Sequence, residues 1–142
     1  MIALLTEAVS RDSANPYRWA DLGQALVNSN DIPKARTCYT RALELSRDIP
    51  QIWLRDANFH FQLSEPEQAL ETAARVLKTV PDYDAILFGY FIQFGLRAPV
   101  ILSKIGDARR AVRSYTQYLI DRNVPDDAAV AWRHAEASGF SD

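Results

Sequence analysis

Two tryptophans show the period on which this chain is built. Trp53 follows Trp19 after 34 residues (53 − 19 = 34), and the same step relates Ala35 to Ala69. A fixed period of roughly 20–50 residues is typical of repeat proteins, in which each unit is a supersecondary element that stacks on the next. The period therefore predicts a repeat architecture more strongly than any other feature of the sequence.

Each period contains two stripes of apolar or small residues with helical spacing. The first stripe occupies positions i, i+3, i+4 and i+7 of one helix: Trp19, Leu22, Gly23 and Leu26. The second stripe lies on the following helix: Ala35, Tyr39, Ala42 and Leu43. Because Gly23 has no side chain, the second helix can approach its backbone closely. One such hairpin cannot bury its apolar stripe alone, so neighbouring hairpins are expected to stack into a continuous core.

The pattern Trp19-x2-Leu22-Gly23-x2-Leu26, followed by Ala35-x3-Tyr39, closely resembles the tetratricopeptide repeat (TPR) consensus. The resemblance implies an all-α fold, a right-handed α-solenoid of helix–turn–helix repeats. We expect about eight helices and no strands, because every periodic segment has a period of 3.6 and none has a period of 2. Trp19 and Trp53 should be equivalent, each packed between the two helices of its own repeat.

The 34-residue register predicts a single domain, residues 1–142, with five segments. These are residues 2–14 (a partial repeat or a capping helix), 16–49 (repeat one), 50–83 (repeat two), 84–123 (an irregular repeat three) and 125–138 (a C-terminal capping helix). Ala8 precedes Ala42 by 34 residues, which favours the second helix of an incomplete repeat at the start. The chain would then be a fragment of a longer protein; a native N-terminal capping helix is the alternative. Asn15, Asp31 and Ser64 are expected N-caps.

Repeat three breaks the register. Tyr115 follows Tyr39 after 76 residues (115 − 39 = 76), eight more than two periods, so residues 107–119 are interpreted as its second helix. A break is expected near Gly95–Pro99, because proline disrupts helical hydrogen bonding. Four apolar residues flank that break and are hypothesised to form an exposed patch for self-association or for docking the rest of the parent protein: Phe91, Phe94, Val100 and Ile101. The alternative is that they pack under the last helix against Trp132.

Composition excludes several classes of protein. The net charge of −2 argues against a binder of nucleic acid, which usually presents a strongly basic face. The one cysteine, Cys38, permits no internal disulfide. The start lacks the basic region and long apolar core of a signal peptide, and the most apolar window, residues 85–96, is far shorter than the ~20 residues of a membrane span. No membrane insertion is expected, and a cytoplasmic location is favoured.

We find no constellation of catalytic residues, so no enzymatic activity, cofactor or metal is expected. His60 and His134 lack metal-ligand spacing, and glycine-rich nucleotide-binding loops are absent. Cys38 lies in mid-helix and is interpreted as an inert thiol. Arg109, Arg110 and Arg113 form the one basic cluster. It is interpreted as a solvated face, with an acidic partner or a lipid head group as the alternative.

The resemblance implies that first helices line a concave groove and contact ligands from fixed repeat positions. Carried onto this chain, the candidate groove residues are Tyr17, Gln24, Asn28, Gln51, Leu54, Asn58, Phe61 and Gln62. Asn58 matches the asparagine that holds a peptide backbone or terminal carboxylate in chaperone-binding relatives. Ala20 and Leu54 stand where those relatives carry a basic residue, so no carboxylate clamp is expected. The groove is neutral, polar and aromatic.

Such a groove suits an extended peptide or a partner helix. The favoured function is therefore a non-catalytic module that binds a protein or peptide partner. The alternative is an accessory TPR domain of a multidomain enzyme or of an assembly or secretion machine, for example in polysaccharide assembly.

Overall fold

The computed structural model describes residues 1–141, and within that range the chain forms nine α-helices and no strand. The helices are α1 (Ile2–Arg11), α2 (Pro16–Asn28), α3 (Ile32–Glu44), α4 (Pro50–Gln62), α5 (Pro66–Thr79), α6 (Asp84–Gln93), α7 (Ala98–Ile105), α8 (Arg109–Asp121) and α9 (Pro125–Ala137). The all-α prediction is confirmed. None of these helices is long and apolar enough to cross a bilayer. The helices form two compact units, Met1–Phe59 and His60–Asp142.

Capping residues start the helices of the first unit where the sequence predicts. The side-chain oxygen of Asn15 accepts a hydrogen bond from the backbone N–H of Tyr17 at 3.0 Å, and Asp31 accepts one from Lys34 at 3.4 Å. These bonds satisfy donors that have no partner within the helix. Pro16 stands in the first turn of α2, where a missing N–H has no cost.

The core of the first unit is built on a close approach of α2 and α3 at Gly23. The ring of Tyr39 lies over this glycine, is only 3% exposed, and stacks on Phe59 of α4 with 4.4 Å between ring centroids. A β-carbon at Gly23 would stand 2.8 Å from the Tyr39 ring. Only glycine therefore permits this packing.

The two tryptophans make the same hydrogen bond, each to the segment before its own helix. The indole N–H of Trp19 donates to the carbonyl of Ser13 at 2.8 Å, and that of Trp53 donates to Ser46 at 2.6 Å. Trp53 is 5% exposed and Trp19 is half-buried. The two residues are thus equivalent in hydrogen bonding but differ in burial.

Four turns between helices share one backbone geometry. Each contains a residue with positive φ: Asn30 at 62°, Ser64 at 57°, Gly95 at 76° and Asn123 at 56°. The next residue then donates its N–H to the carbonyl five positions earlier, as in Asp31 to Leu26 (2.8 Å), Glu65 to His60 (2.9 Å), Leu96 to Phe91 (2.8 Å) and Val124 to Leu119 (3.0 Å). This is the helix-ending motif that normally uses glycine. Ser64 therefore ends α4 and does not cap α5, which corrects the sequence interpretation.

The four shared turns stand between α2 and α3, between α4 and α5, between α6 and α7, and between α8 and α9, so along the sequence the helices after α1 follow one another as four successive pairs. In the second unit, α6 packs on α8, while α7 packs on both α5 and α9. Helix α8 is therefore the first helix of a fourth pair, and not the second helix of an irregular third repeat. Helix α9 completes that pair. The interpretation failed because the spacing of Ala111, Tyr115 and Leu119 suits either helix of a repeat.

The break after α6 lies where proline and glycine predict it, but the expected apolar patch is largely absent. Phe91 and Ile101 are fully buried, and the Phe94 ring is half-buried against Phe61 at 5.0 Å. Only Val100, at 45%, is well exposed. The prediction of an exposed patch is therefore wrong for Phe91 and Ile101, since α5 and α9 cover α7. Helix α9 packs on α7, as the alternative expected, while Trp132 of that helix is 48% exposed.

Two ion pairs of the second unit involve carboxylates that are almost buried. Arg110 donates to Asp84 at 2.7 Å and also to the carbonyl of Leu77. Arg97 donates from Nε to both oxygens of Asp127 at 3.1 Å. The interpretation of the basic cluster as a solvated face is therefore wrong for Arg110, because this side chain is bound within the unit.

We predict that Gly23→Ala destabilises the chain by about 1–2 kcal/mol, since the strain of the added methyl exceeds the gain in helix propensity. The matched control is Gly89→Ala in α6, whose β-carbon would meet the Tyr118 hydroxyl at 3.4 Å. That variant should gain up to about 1 kcal/mol. Urea denaturation of both variants measures the difference, and equal stability of Gly23→Ala and wild type would contradict the packing.

Stability should decline above about pH 10, the ordinary pKa of a tyrosine phenol. Burial raises the pKa of Tyr115, and the nearby Asp127 carboxylate raises it further. Because the unfolded chain then releases its proton first, the stabilisation is complete below that pH and is lost as pH rises. Burial also raises the pKa values of Tyr39 and Cys38, which contribute to the same decline.

The measurement is the free energy of unfolding between about pH 9 and pH 12, a range around the ordinary phenol pKa. Tyr115→Phe should make the decline shallower, whereas Tyr17→Phe, at a site 42% exposed, serves as the control. Parallel profiles for wild type and Tyr115→Phe would rule out this role of Tyr115.

Candidate binding groove

Six of the eight groove candidates lie in the first unit, on α2 and α4: Tyr17, Gln24, Asn28, Gln51, Leu54 and Asn58. Tyr17, Asn28 and Gln51 are exposed, and the other three are half-buried. Phe61 and Gln62, at the end of α4, belong to the second unit. The candidates therefore divide between the two units.

Gln24 and Asn28 line a cavity of about 310 Å³ in the first unit. Its other lining residues come from α1, α2 and α4: Met1, Leu5, Asp21, Ala25 and Arg55. The cavity combines an apolar wall from α1 with a polar wall from α2 and α4. Tyr17, Gln51, Leu54 and Asn58 do not line it.

A hydrogen-bonded chain fixes the orientation of Gln24. Its amide nitrogen donates to Asn28 Oδ1 at 3.0 Å, and its amide oxygen accepts from the Tyr39 hydroxyl at 3.3 Å. Burial raises the pKa of Tyr39, so the phenol stays protonated and remains a donor at neutral pH. The polar wall of the cavity is thus held in one arrangement.

Arg55 and Asp21 form an ion pair across the same wall, at 2.9 Å. Their side chains are 31% and 42% exposed. Neither residue is among the candidates predicted from the sequence, although their separation of 34 (55 − 21 = 34) is the signal that equal repeat positions face each other. Because Asp21 neutralises Arg55, this guanidinium does not supply the free positive charge of a carboxylate clamp.

Asn58 has an unusual polar atom. Its Oδ1 is buried and has no hydrogen-bond partner within the chain. An unpaired buried acceptor costs about 1–3 kcal/mol, so folded proteins keep few of them. Such an atom needs an explanation.

Phe61 is packed away from solvent, at 3% exposure. Its ring contacts Tyr90 at 5.2 Å and Phe94 at 5.0 Å between centroids. The resemblance placed Phe61 in the groove, but aromatic residues of α6 and of the turn that follows it enclose the ring. Phe61 thus supports the core of the second unit and is not available to a partner.

Two further cavities lie outside these candidates. One of about 340 Å³ in the first unit is lined by Ile2, Thr6, Leu22, Leu26, Lys34, Thr37 and Cys38. Burial raises the pKa of the Cys38 thiol, which keeps it protonated and weakly nucleophilic.

The other cavity, of about 350 Å³ in the second unit, is lined by Asp84, Ala85, Phe88, Ser114, Gln117, Tyr118 and Asp121. Within residues 1–141 no three side chains of histidine, cysteine, aspartate or glutamate converge as a metal site.

Comparison with known proteins agrees with the helical pairs. Residues 20–84 match the family model described as tetratricopeptide repeat. A stretch of 113 residues is 30% identical to the human protein O-mannosyl-transferase TMTC3, covering 79% of this chain. The chain spans only 12% of the length of that relative. No solved structure matches the chain.

Breaking the ion pair of the groove should have little effect on stability. We expect Arg55→Met to cost less than about 1 kcal/mol, since both side chains are partly solvated. Arg110→Met should cost more, about 2 kcal/mol or above, because it leaves Asp84 almost buried without its cation. Thermal or urea denaturation compares the two variants. A larger loss for Arg55→Met would make Arg55 a core residue rather than a groove residue.

Proposed function

Because this chain belongs to the tetratricopeptide repeat family, we propose that it is a non-catalytic interaction module that binds an extended peptide of a partner protein. The binding surface comprises the polar wall of the first-unit cavity and the residues of α4 that lie outside that cavity. Gln24, Asn28 and Asn58 are the residues that contact the partner backbone. Gln51 and Leu54 extend the surface along α4.

The observation that carries this proposal is the unpaired oxygen of Asn58. A backbone N–H of an extended peptide is the simplest donor for it, because every residue of such a peptide except proline offers one. The peptide supplies the missing hydrogen bond on binding. The unpaired acceptor destabilises the free chain, and removal of this penalty on binding increases the affinity for the peptide.

The partner need not be strongly charged. Asp21 and Arg55 neutralise each other in the wall of the cavity, and Gln24 and Asn28 are neutral. Recognition therefore depends on hydrogen bonds to the peptide backbone and on contacts of uncharged side chains with the apolar wall from α1. Binding of this kind should be only weakly sensitive to salt.

A second candidate function is favoured by the relative that carries a transferase name. In that case the chain is an accessory part of a larger enzyme, and its groove positions a protein substrate while chemistry takes place elsewhere. The 12% coverage of that relative supports the idea of one module within a long chain. Sequencing the complete transcript distinguishes the two functions, since the second requires a catalytic domain in the same reading frame.

The test of the proposed groove is selection of 12-residue peptides from a random phage library on the immobilised chain. Selected peptides are then titrated by calorimetry against wild type and Asn58→Ala. We expect Asn58→Ala to weaken binding about tenfold, the effect of one lost hydrogen bond. Its stability should stay within about 1 kcal/mol of wild type or rise, because the substitution removes an unpaired buried acceptor.

Gln68→Ala is the matched control, since Gln68 is exposed on α5 in the second unit. It should leave both affinity and stability unchanged. Peptides that bind wild type and Asn58→Ala equally well, or a library that yields no specific peptide, would refute the groove.

A further inference from the structure

The cavity of about 350 Å³ in the second unit takes its walls from two helices, α6 and α8. Two carboxylates and two aromatic rings line it, and among the described residues no lysine, arginine or histidine does. None of the lining comes from α9. The cavity is therefore acidic and aromatic.

The positions of α8 that line this cavity match those of α2 that line the cavity of about 310 Å³ in the first unit. An offset of 93 residues (117 − 24 = 93) relates four pairs of lining residues: Asp21/Ser114, Gln24/Gln117, Ala25/Tyr118 and Asn28/Asp121. In both cavities the glutamine amide donates to the residue four positions later, at 3.0 Å in the first unit and 2.8 Å in the second. The two cavities thus use equivalent positions, and the substitutions between them decide how their chemistry differs.

Of the two carboxylates in the second-unit cavity, one is neutralised within the unit. Asp84 accepts hydrogen bonds from Arg110 and from the Ser114 hydroxyl, both at 2.7 Å. Asp121 accepts one from an amide of its own helix and, within residues 1–141, makes no ion pair. Its side chain is exposed, and its counterpart in the first unit is the neutral Asn28. Asp121 therefore gives the cavity a negative charge that no cation of the described residues pairs with.

A second substitution places an aromatic ring beside this charge. Tyr118 replaces Ala25 and lies three residues before Asp121, on the same face of α8. Its half-buried ring packs on Phe88 with 5.4 Å between centroids. The guanidinium of Arg122 lies 4.9 Å from the centre of the Tyr118 ring, a distance at which the ring attracts a cation. A carboxylate and a tyrosine ring on one face together attract a positively charged group.

The hydrogen-bonding capacity that remains in the cavity is that of acceptors. In the part of the chain that the structure describes, the amide oxygen of Gln117 and the hydroxyl oxygen of Tyr118 accept no hydrogen bond, and Asp121 accepts one. An ammonium group has three N–H donors and no acceptor, so it matches this set. A guanidinium binds a carboxylate best through both oxygens at once. Because Gln117 already occupies Oδ1 of Asp121, the cavity suits lysine better than arginine.

We propose that this cavity binds the side chain of a lysine in an exposed segment of a partner protein. The ammonium group binds Asp121 and the oxygens of Gln117 and Tyr118, while the aliphatic part of the lysine lies against the Tyr118 ring. That the lysine belongs to a protein, and not to a free amine, rests on the proposed function of the chain as an interaction module. The site shares no residue with the first-unit groove.

The probe is an acetylated and amidated peptide, Gly-Ser-Ala-Ala-Lys-Ala-Ala-Ser-Gly. Two matched peptides carry arginine or norleucine in place of the lysine, and norleucine keeps an aliphatic side chain but has no charge. A further ligand, n-butylammonium chloride, supplies the ammonium group without a peptide. Each ligand is titrated into the isotope-labelled full chain, and the backbone amide NMR shifts of Gln117, Tyr118 and Asp121 report binding.

Two variants are compared with wild type. Asp121→Asn removes the charge but keeps an acceptor for Gln117. Asp126→Asn is the matched control, because it removes an equal charge from an exposed residue of α9 that does not line the cavity. Thermal unfolding of both variants should match wild type, since both carboxylates are exposed.

We expect the lysine peptide to bind wild type with a dissociation constant of about 1 mM, and the norleucine peptide to bind about tenfold more weakly or less. Asp121→Asn should weaken binding of the lysine peptide about tenfold, the effect of one lost charge-assisted hydrogen bond. Asp126→Asn should leave that binding unchanged. Added sodium chloride should weaken it, because salt screens an exposed charge.

Three results would overturn the site: no saturable shift up to about 10 mM lysine peptide, equal binding of the lysine and norleucine peptides, or equal binding to wild type and Asp121→Asn. Tighter binding of the arginine peptide would show that the ligand is not an ammonium group. If n-butylammonium binds as tightly as the lysine peptide, the ligand is a free amine and the partner protein is wrong.

The same titrations separate this site from the first-unit groove. Asn58→Ala should bind the lysine peptide as wild type does, and Asp121→Asn should keep the affinity of peptides selected for the groove. Failure of the groove would appear in the library selection and in Asn58→Ala, whereas failure of the lysine site would appear in the lysine peptide and in Asp121→Asn.

Discussion

Each helical hairpin depends on one residue that adopts a left-handed backbone conformation. With positive φ at Asn30, Ser64, Gly95 or Asn123, the next N–H turns back to a carbonyl five residues earlier and the chain leaves the helix there. At Asn30 this reversal allows α3 to return along α2. The contact of Tyr39 with Gly23, and the apposition of Gln24 and Tyr39, both follow from it. Glycine occupies only one of the four sites, although β-carbons make this conformation costly for most residues.

The sequence predicts the first two repeats well because their signature resides in side chains. Tryptophan at one position, and glycine or alanine four residues later, are visible without a structure, as in Trp19 with Gly23 and Trp53 with Ala57. The third and fourth pairs lack this signature. Their boundaries are set by the positive φ of Gly95 and Asn123. Asparagine adopts this backbone conformation at modest cost, and no pattern of apolar residues reveals it.

The sequence could predict the groove residues only as positions within a repeat. Their burial in the structure then distinguishes the candidates that a partner can reach from those that it cannot. Phe61 occupies a groove position but is enclosed by the rings of Tyr90 and Phe94. A consensus cannot anticipate this, because it describes one repeat at a time. The sequence shows that Arg55 and Asp21 are one period apart. Their ion pair, however, depends on the direction of the two side chains. The unpaired oxygen of Asn58 is a property of the packed unit alone.

The loss of tryptophan in the third pair has a structural compensation. Asp84 stands seven residues before Phe91, as Trp19 stands before Leu26, so it occupies the tryptophan position of that pair. Indole N–H groups satisfy carbonyls of the preceding segment at Trp19 and Trp53. Here Asp84 instead holds Arg110, which donates to the carbonyl of Leu77 at the end of α5. A donor from another helix, oriented by the carboxylate, thus replaces the local indole. The carbonyls that end one helix must find donors, and this requirement persists where the consensus residue does not.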